Sequence, residues 1–185
     1  MVTMVALLRG VNVGGSNKLP MADLRTYATD AGYEQVSTYI QSGNLVFSSE
    51  QADTSAVAAT LEQVLAERAK LAVEVMVRSR AEFVGIAADN PFLARGVDPG
   101  HLHVACMNAV DAEAGAAASA LAEPGRYPPD EALVLGAQMY LHLPAGTGRS
   151  KLGAALARSK RPRYTVRNWR TVNKLVDMLN EVDEN

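Results

Sequence analysis

The order of apolar runs along this 185-residue chain repeats once, and that repeat limits the fold more than any single motif does. Residues 3–8 form an apolar run of strand length. Residues 21–31 carry Leu24, Tyr27, Ala28 and Ala31 at helical spacing and stop at Gly32, a residue type that ends helices. Residues 36–40 and 45–47 are short β-rich runs. They flank Gln41-Ser42-Gly43-Asn44, a hairpin turn in which Gly and Asn tolerate positive φ. Residues 54–71 place Val57, Leu61, Val64, Leu65 and Ala69 on one side of a helix, and residues 73–77 form a further strand. Residues 1–78 thus predict β-α-β-β-α-β.

The second half predicts the same order. A connecting helix over residues 79–88 and a loop around Asn90-Pro91-Phe92 lead into a strand at 102–107 and a helix at 111–121. A hairpin of 132–136 with 138–143 follows, then a helix at 150–159 and a short strand at Thr165-Val166. The last helix, residues 168–180, has Trp169, Val172, Leu175, Val176 and Leu179 at helical spacing. The expected fold class is α+β: two tandem ferredoxin-like units, residues 1–78 and 79–185, each an antiparallel sheet with helices on one face, forming one compact body.

Charge is distributed unevenly. Residues 149–174 hold nine of the chain's 18 Lys and Arg and no Asp or Glu, although the net charge is -2. A net-acidic chain that concentrates its cations predicts an electropositive surface, and such a surface attracts phosphates, carboxylates or nucleic acid. One cysteine, Cys106, cannot form an internal disulfide and fits a reducing compartment. The N-terminus lacks the basic start of a secretory signal, and no apolar run approaches the ~18 residues that cross a bilayer. A cytoplasmic protein without a membrane partner is expected, and no cofactor.

Four segments together resemble one bacterial family. They are ALLRGVNVGGSNKLPM at 6–21, TYIQSGNLVF at 38–47, YLHLP at 140–144 with GRSKL at 148–152, and TVRNWRTV at 165–172 followed by Lys174-Leu175. Asn90-Pro91-Phe92 and Leu102-His103-Val104 also match. The chain is similar in these segments to domain-of-unknown-function family 1697. The resemblance implies an α+β fold of duplicated ferredoxin-like character. It implies no reaction, because the family's activity is unassigned.

The candidate binding residues are Arg9, Asn12, Lys18, Asn44, Arg149, Ser150, Lys151, Arg167, Asn168 and Arg170. In the loop at 9–20, Gly10, Gly14 and Gly15 free backbone N–H groups, and Arg9 and Lys18 add charge, as in an anion cradle. It is no P-loop, since Ser16-Asn17 stands where Gly-Lys-Ser/Thr needs Lys and then a hydroxyl. The plainer reading is a strand-to-helix connection that needs Gly for its geometry. Gln41 and Asn44 are turn formers or ligand amides.

Ser150 and Asn168 are expected helix caps. The cations beside them, Arg149, Lys151, Arg167 and Arg170, oppose the positive end of a helix dipole, which favours an external anion at each helix start. Trp169 is expected in the core rather than as a base-stacking platform. His101 and His103 should share one strand face, with His142 on another strand. No ligand spacing supports a metal, and a proton-transfer role for His103 or His142 stays open beside a structural one.

Three function classes follow. The first is a module binding a phosphate-bearing ligand, with nucleic acid the leading candidate. The second is an enzyme acting on a small phosphorylated or carboxylated substrate, with Arg9, Lys18 and Arg167 holding the anion. The third is a scaffold for an acidic protein partner. The sequence does not decide whether the chain is an enzyme.

Overall fold

Residues 2–8 are apolar on both faces, a pattern that suits only a central strand. The computed structural model describes residues 1–108 and 111–183. Its first elements are β1 (Val2–Leu8), α1 (Met21–Asp30), β2 (Glu34–Tyr39), β3 (Asn44–Ser49), α2 (Thr54–Val64), β4 (Val75–Ser79) and α3 (Arg80–Ala88). β1 pairs antiparallel with β3 and with β4, and β2 closes the edge, in the order β2-β3-β1-β4.

One face of this sheet meets α1 and α2. Met4, Ala6, Leu8, Leu45, Phe47 and Val77 pack with Leu24, Ala28, Val57 and Leu61. The alternate residues Val5, Leu7, Val46 and Met76 are buried as well, so neither face is open to solvent. α2 continues as a π-helical turn, Leu65–Ala69, and Lys70 ends it at φ 56°. The expected strand at 73–77 accordingly starts later, at Val75, whose N–H donates to Glu62 Oε1 at 2.8 Å.

The following elements are β5 (Leu102–Met107), α4 (Ala112–Leu121), β6 (Glu131–Leu135), β7 (Gln138–His142), α5 (Lys151–Arg158), β8 (Tyr164–Asn168) and α6 (Trp169–Asp183). The sheet order is β6-β7-β5-β8, again antiparallel throughout. Ala105, Met107, Met139, Leu141 and Tyr164 pack with Ala118, Leu152 and Leu156 of α4 and α5. The fold is α+β, with two four-stranded antiparallel sheets and six α-helices among the described residues. The chain divides into one unit of Met1–Gly85 with the residues from Lys174 onward, and a second unit of Ile86–Asn173. Trp169 is a core residue, 5% exposed.

The turn between β2 and β3 corrects one sequence expectation. Its positive φ angles fall on Ile40 and Gly43, not on Asn44. Asn44 is fully buried within β3, and its Nδ2 donates to Tyr39 O (2.9 Å) and Ser42 Oγ (3.0 Å), closing the turn from inside. Gly43 is needed for two reasons. Its φ is +72°, and a Cβ there would lie 2.7 Å from Leu8 Cβ, where Leu8 N–H donates to Gly43 O at 2.8 Å.

Gly43→Ala should therefore destabilise the protein by about 2 kcal/mol or more, combining backbone strain with overpacking. Gly14→Ala, with positive φ but open space, should cost only about 1 kcal/mol. Urea unfolding followed by circular dichroism checks the contrast, and equal costs would contradict the close-approach argument.

Candidate functional site

The loop over residues 9–20 is built by its asparagines. Asn12 takes a left-handed φ of 55°. Its Nδ2 donates to Leu19 O (2.8 Å) and Gln41 O (2.7 Å), and its Oδ1 accepts from Leu19 N–H (2.9 Å). One amide thereby joins the two ends of the loop and ties them to the β2–β3 turn. Asn17 Nδ2 adds a bond to Gly10 O at 3.1 Å. The loop and the turn are neighbours, but Asn12 and Asn44 spend their amides holding them. Arg9 lies 3.8 Å from Glu74 Oε2, and its N–H donates to Glu74 O. Lys18 and the side chain of Gln41 are exposed.

The start of α5 answers the puzzle of its unfavourable cations. Ser150 caps the helix, its Oγ accepting from Gly153 N–H at 2.7 Å. The same hydroxyl donates to Asp130 Oδ2 at 2.9 Å, and Leu152 N–H donates to that oxygen at 3.3 Å. Asp130 is 7% exposed. The position expected to receive an external anion is thus taken by the protein's own carboxylate, which satisfies the orphan N–H groups and the positive end of the dipole. Asn168 likewise caps α6, accepting from Thr171 N–H at 2.8 Å.

Arg149 and Lys151 are left exposed beside this internal anion. Lys151 and Arg158 are seven residues apart on α5 and share one side of it. Lys160 follows in the next loop. Arg161 pairs with Asp111, and its Nε lies 3.6 Å from Glu113 Oε2. Hydrogen bonding by Ala114 N–H and then the guanidinium of Arg161 hold the Asp111 carboxyl below its usual range. Arg149, Lys151, Arg158, Lys160 and Arg170 are exposed and have no carboxylate partner among the described residues.

Arg167 is different. It lies inside, 8% exposed, with Nη1 donating to Thr165 Oγ1 (2.8 Å) and Val166 O (3.0 Å). Burial brings its pKa down to about 10. Such a residue supports the sheet and offers no surface charge.

The three histidines also separate. His101 precedes β5, in a short 3₁₀ turn. His103 is buried, with Nδ1 3.3 Å from His101 O, and burial pushes its pKa down. His142 Nδ1 lies 3.2 Å from Glu131 Oε1, and Arg95 Nη2 donates to both oxygens of Glu131 at 3.0 and 2.8 Å. Arg95, and secondarily His142, hold the Glu131 carboxyl below its usual range. The residue patterns had not singled out Asp130, Glu131 or Arg95. Hairpin register contained part of the signal, because a two-residue turn at 136–137 sets Glu131 opposite His142. Among the described residues no group of three or more His, Cys, Asp or Glu is placed to hold a metal ion, and no helix is long and apolar enough to cross a membrane.

A family model described as "Protein of unknown function (DUF1697)" matches residues 1–140. The solved structure of the conserved bacterial protein SP0830 from Streptococcus pneumoniae is similar with a TM-score of 0.75. Its sequence is 24% identical, and the match covers 96% of this chain and 98% of that one. That likeness is one of fold. No curated protein matches. The segment from α5 onward lies outside the stretch matched by the family model.

The burial of His103 has a pH consequence. Its folded pKa lies below the ordinary histidine value of 6.5, so at mildly acidic pH the unfolded chain takes up a proton that the folded chain resists. Stability should fall as pH drops from about 7 through the unfolded value toward the folded one. His103→Gln should flatten that part of the profile in urea melts taken at successive pH values. An unchanged slope in the variant would contradict this assignment.

Proposed function

The chain belongs to the DUF1697 family of proteins of unknown function, and from that premise we propose that its second unit binds a phosphate-bearing polyanion, with single-stranded nucleic acid the first candidate. The observation that carries the reading is the set Arg149, Lys151, Arg158, Lys160 and Arg170. These cations are exposed and lack a carboxylate partner among the described residues, in a chain of net charge -2. Exposed cations release counterions from a phosphate backbone, which gives affinity without base contacts.

We also read each unit as ferredoxin-like. The strand orders β2-β3-β1-β4 and β6-β7-β5-β8, with a helix after the first and third strand of each set, support that reading. RRM domains share this arrangement and stack bases on an open sheet face, but here the central strands β1, β3 and β5 are buried on both faces. The proposed contact is therefore α5 and the loop after it, and recognition is of backbone charge. A reducing, cytoplasmic setting is consistent with the single buried thiol of Cys106. The small-metabolite enzyme has less support: of its anion-binding set, Arg9 faces Glu74 and Arg167 is buried.

The test is fluorescence anisotropy of a labelled single-stranded RNA titrated with the full chain at low and physiological salt. Binding should be strong at low salt and fall linearly in log–log form as salt rises. Arg149→Glu with Lys151→Glu and Arg158→Glu should weaken low-salt binding by about a hundredfold or more, with the circular dichroism spectrum unchanged. Arg167 is left out of this variant because a glutamate there would sit in the core. Equal affinity of the triple variant and the wild type would remove this surface from the reading.

A further inference from the structure

The strand β6 forms one edge of the second sheet, and it pairs with β7 alone, with Leu135 opposite Gln138 and Leu133 opposite Tyr140. Hydrogen-bonded and non-bonded pairs alternate along an antiparallel ladder. Leu143 N–H donates to His101 O, and Ala137 O accepts from Met107 N–H, so the odd-numbered residues over 137–143 turn their backbone groups toward β5. The even-numbered residues of β7 therefore bond to Glu131, Leu133 and Leu135. That leaves the N–H and C=O groups of Ala132 and Val134 pointing away from the sheet, with no hydrogen-bond partner among the described residues.

A bare edge invites another strand, and folded proteins usually blunt it. The β2 edge of the first sheet is blunted: its ladder bulges between Glu34 and Ser37, and Gln35 takes a φ of 50°. β6 has a regular ladder and no Pro, Lys or Arg. Instead it carries Leu133 and Leu135, 42% and 45% exposed, beside the open groups. A pocket of about 130 Å³ lies along the same strand. It touches both Ala132 and Leu133, whose side chains point to opposite faces. Leu121, Tyr127 and Leu152 wall it on the helix-covered side, and Phe92 on the other. The edge thus has room for the side chains of a further strand.

The sequence of β6 specifies which strand fits. Turned antiparallel about Leu133, a second β6 sets Ala132 opposite the partner's Val134, and Val134 opposite the partner's Ala132, as hydrogen-bonded pairs. All outward groups of both strands are then used. Leu133 meets the partner's Leu133 in the non-bonded pair between them, where side chains approach most closely. The small Ala132 faces the larger side chain of the partner's Val134 beside the pocket. No like charges oppose each other, because Glu131 falls opposite the partner's Leu135 and is already bonded to Arg95. We infer that two copies of this chain associate by antiparallel pairing of β6 with β6, about a two-fold axis at Leu133.

The experiment is sedimentation velocity of the full chain from about 1 µM to 1 mM, the range in which a small interface dissociates. The average mass should rise from one chain to two. Hydrogen exchange of the Ala132 and Val134 amides should slow over the same range, while the amides of the bulged β2 edge keep their rates. Leu133→Lys and Leu133→Glu each place like charges face to face at the axis, and each should weaken association by roughly tenfold or more. An equal mixture of the two variants sets opposite charges together and should associate more tightly than either alone. Leu133 is exposed enough for both variants to fold, which circular dichroism checks, and the exchange measurement on the wild type needs no variant. A single-chain mass at every concentration would overturn the inference. So would exchange at Ala132 and Val134 that ignores concentration, wild-type association in either variant, or a mixture no tighter than its components.

Discussion

Asp130 at the start of α5 is the contact on which much of the second unit depends. A helix that begins with cations at its first positions carries its electrostatics the wrong way round. The carboxylate of Asp130 corrects this locally: it accepts from the Ser150 hydroxyl and the Leu152 amide, twenty or more positions away in the chain. The cap joins the residue before β6 to the helix that covers its sheet. It also leaves Arg149 and Lys151 facing solvent, where their charge is available to something outside. The same side chain then forms part of a pocket wall, and its other oxygen is buried without a hydrogen-bond partner among the described residues.

The first unit solves a different problem with a similar economy of polar groups. A loop of a dozen residues must leave a central strand and return to a helix without exposing its neighbours' core. Asn12 does so with both halves of one amide, and Gly43 makes room for Leu8 by having no side chain. Residues that resemble a ligand cradle by composition are, in this loop, largely the mortar of the loop itself. Lys18 and the exposed tip remain open to solvent without such duties.

The element order was legible because the apolar periodicities are long and the turns carry Gly at positions that need it. The helix caps Ser150 and Asn168 were legible for the same local reason, since a cap is a property of three or four adjacent residues. What escaped is non-local. Asp130 reaches its partners only after β6 and β7 have folded back, and no spacing rule announces that. Arg167 looked like one more surface cation, but on β8 it shares a face with buried Thr165, opposite Val104 and Cys106 of β5. Asn44 had the right residue type for a turn and the opposite orientation, because the β3 strand begins with it. The pairing of Glu131 with His142 lay between these cases, readable once the hairpin register is counted out.

The assignment of external anion binding to side chains of the second unit, with the α5 N-terminus already filled from within, is tested most directly by nuclear magnetic resonance of the Arg and Lys side-chain nitrogens during titration with a short single-stranded RNA at low salt. Signals of Arg149, Lys151, Arg158 and Lys160 should shift together and saturate, while the amide of Leu152, bound to Asp130, keeps its slow hydrogen exchange. Shifts confined to Lys18 and the loop over residues 9–20, with the second-unit cations unmoved, would contradict it.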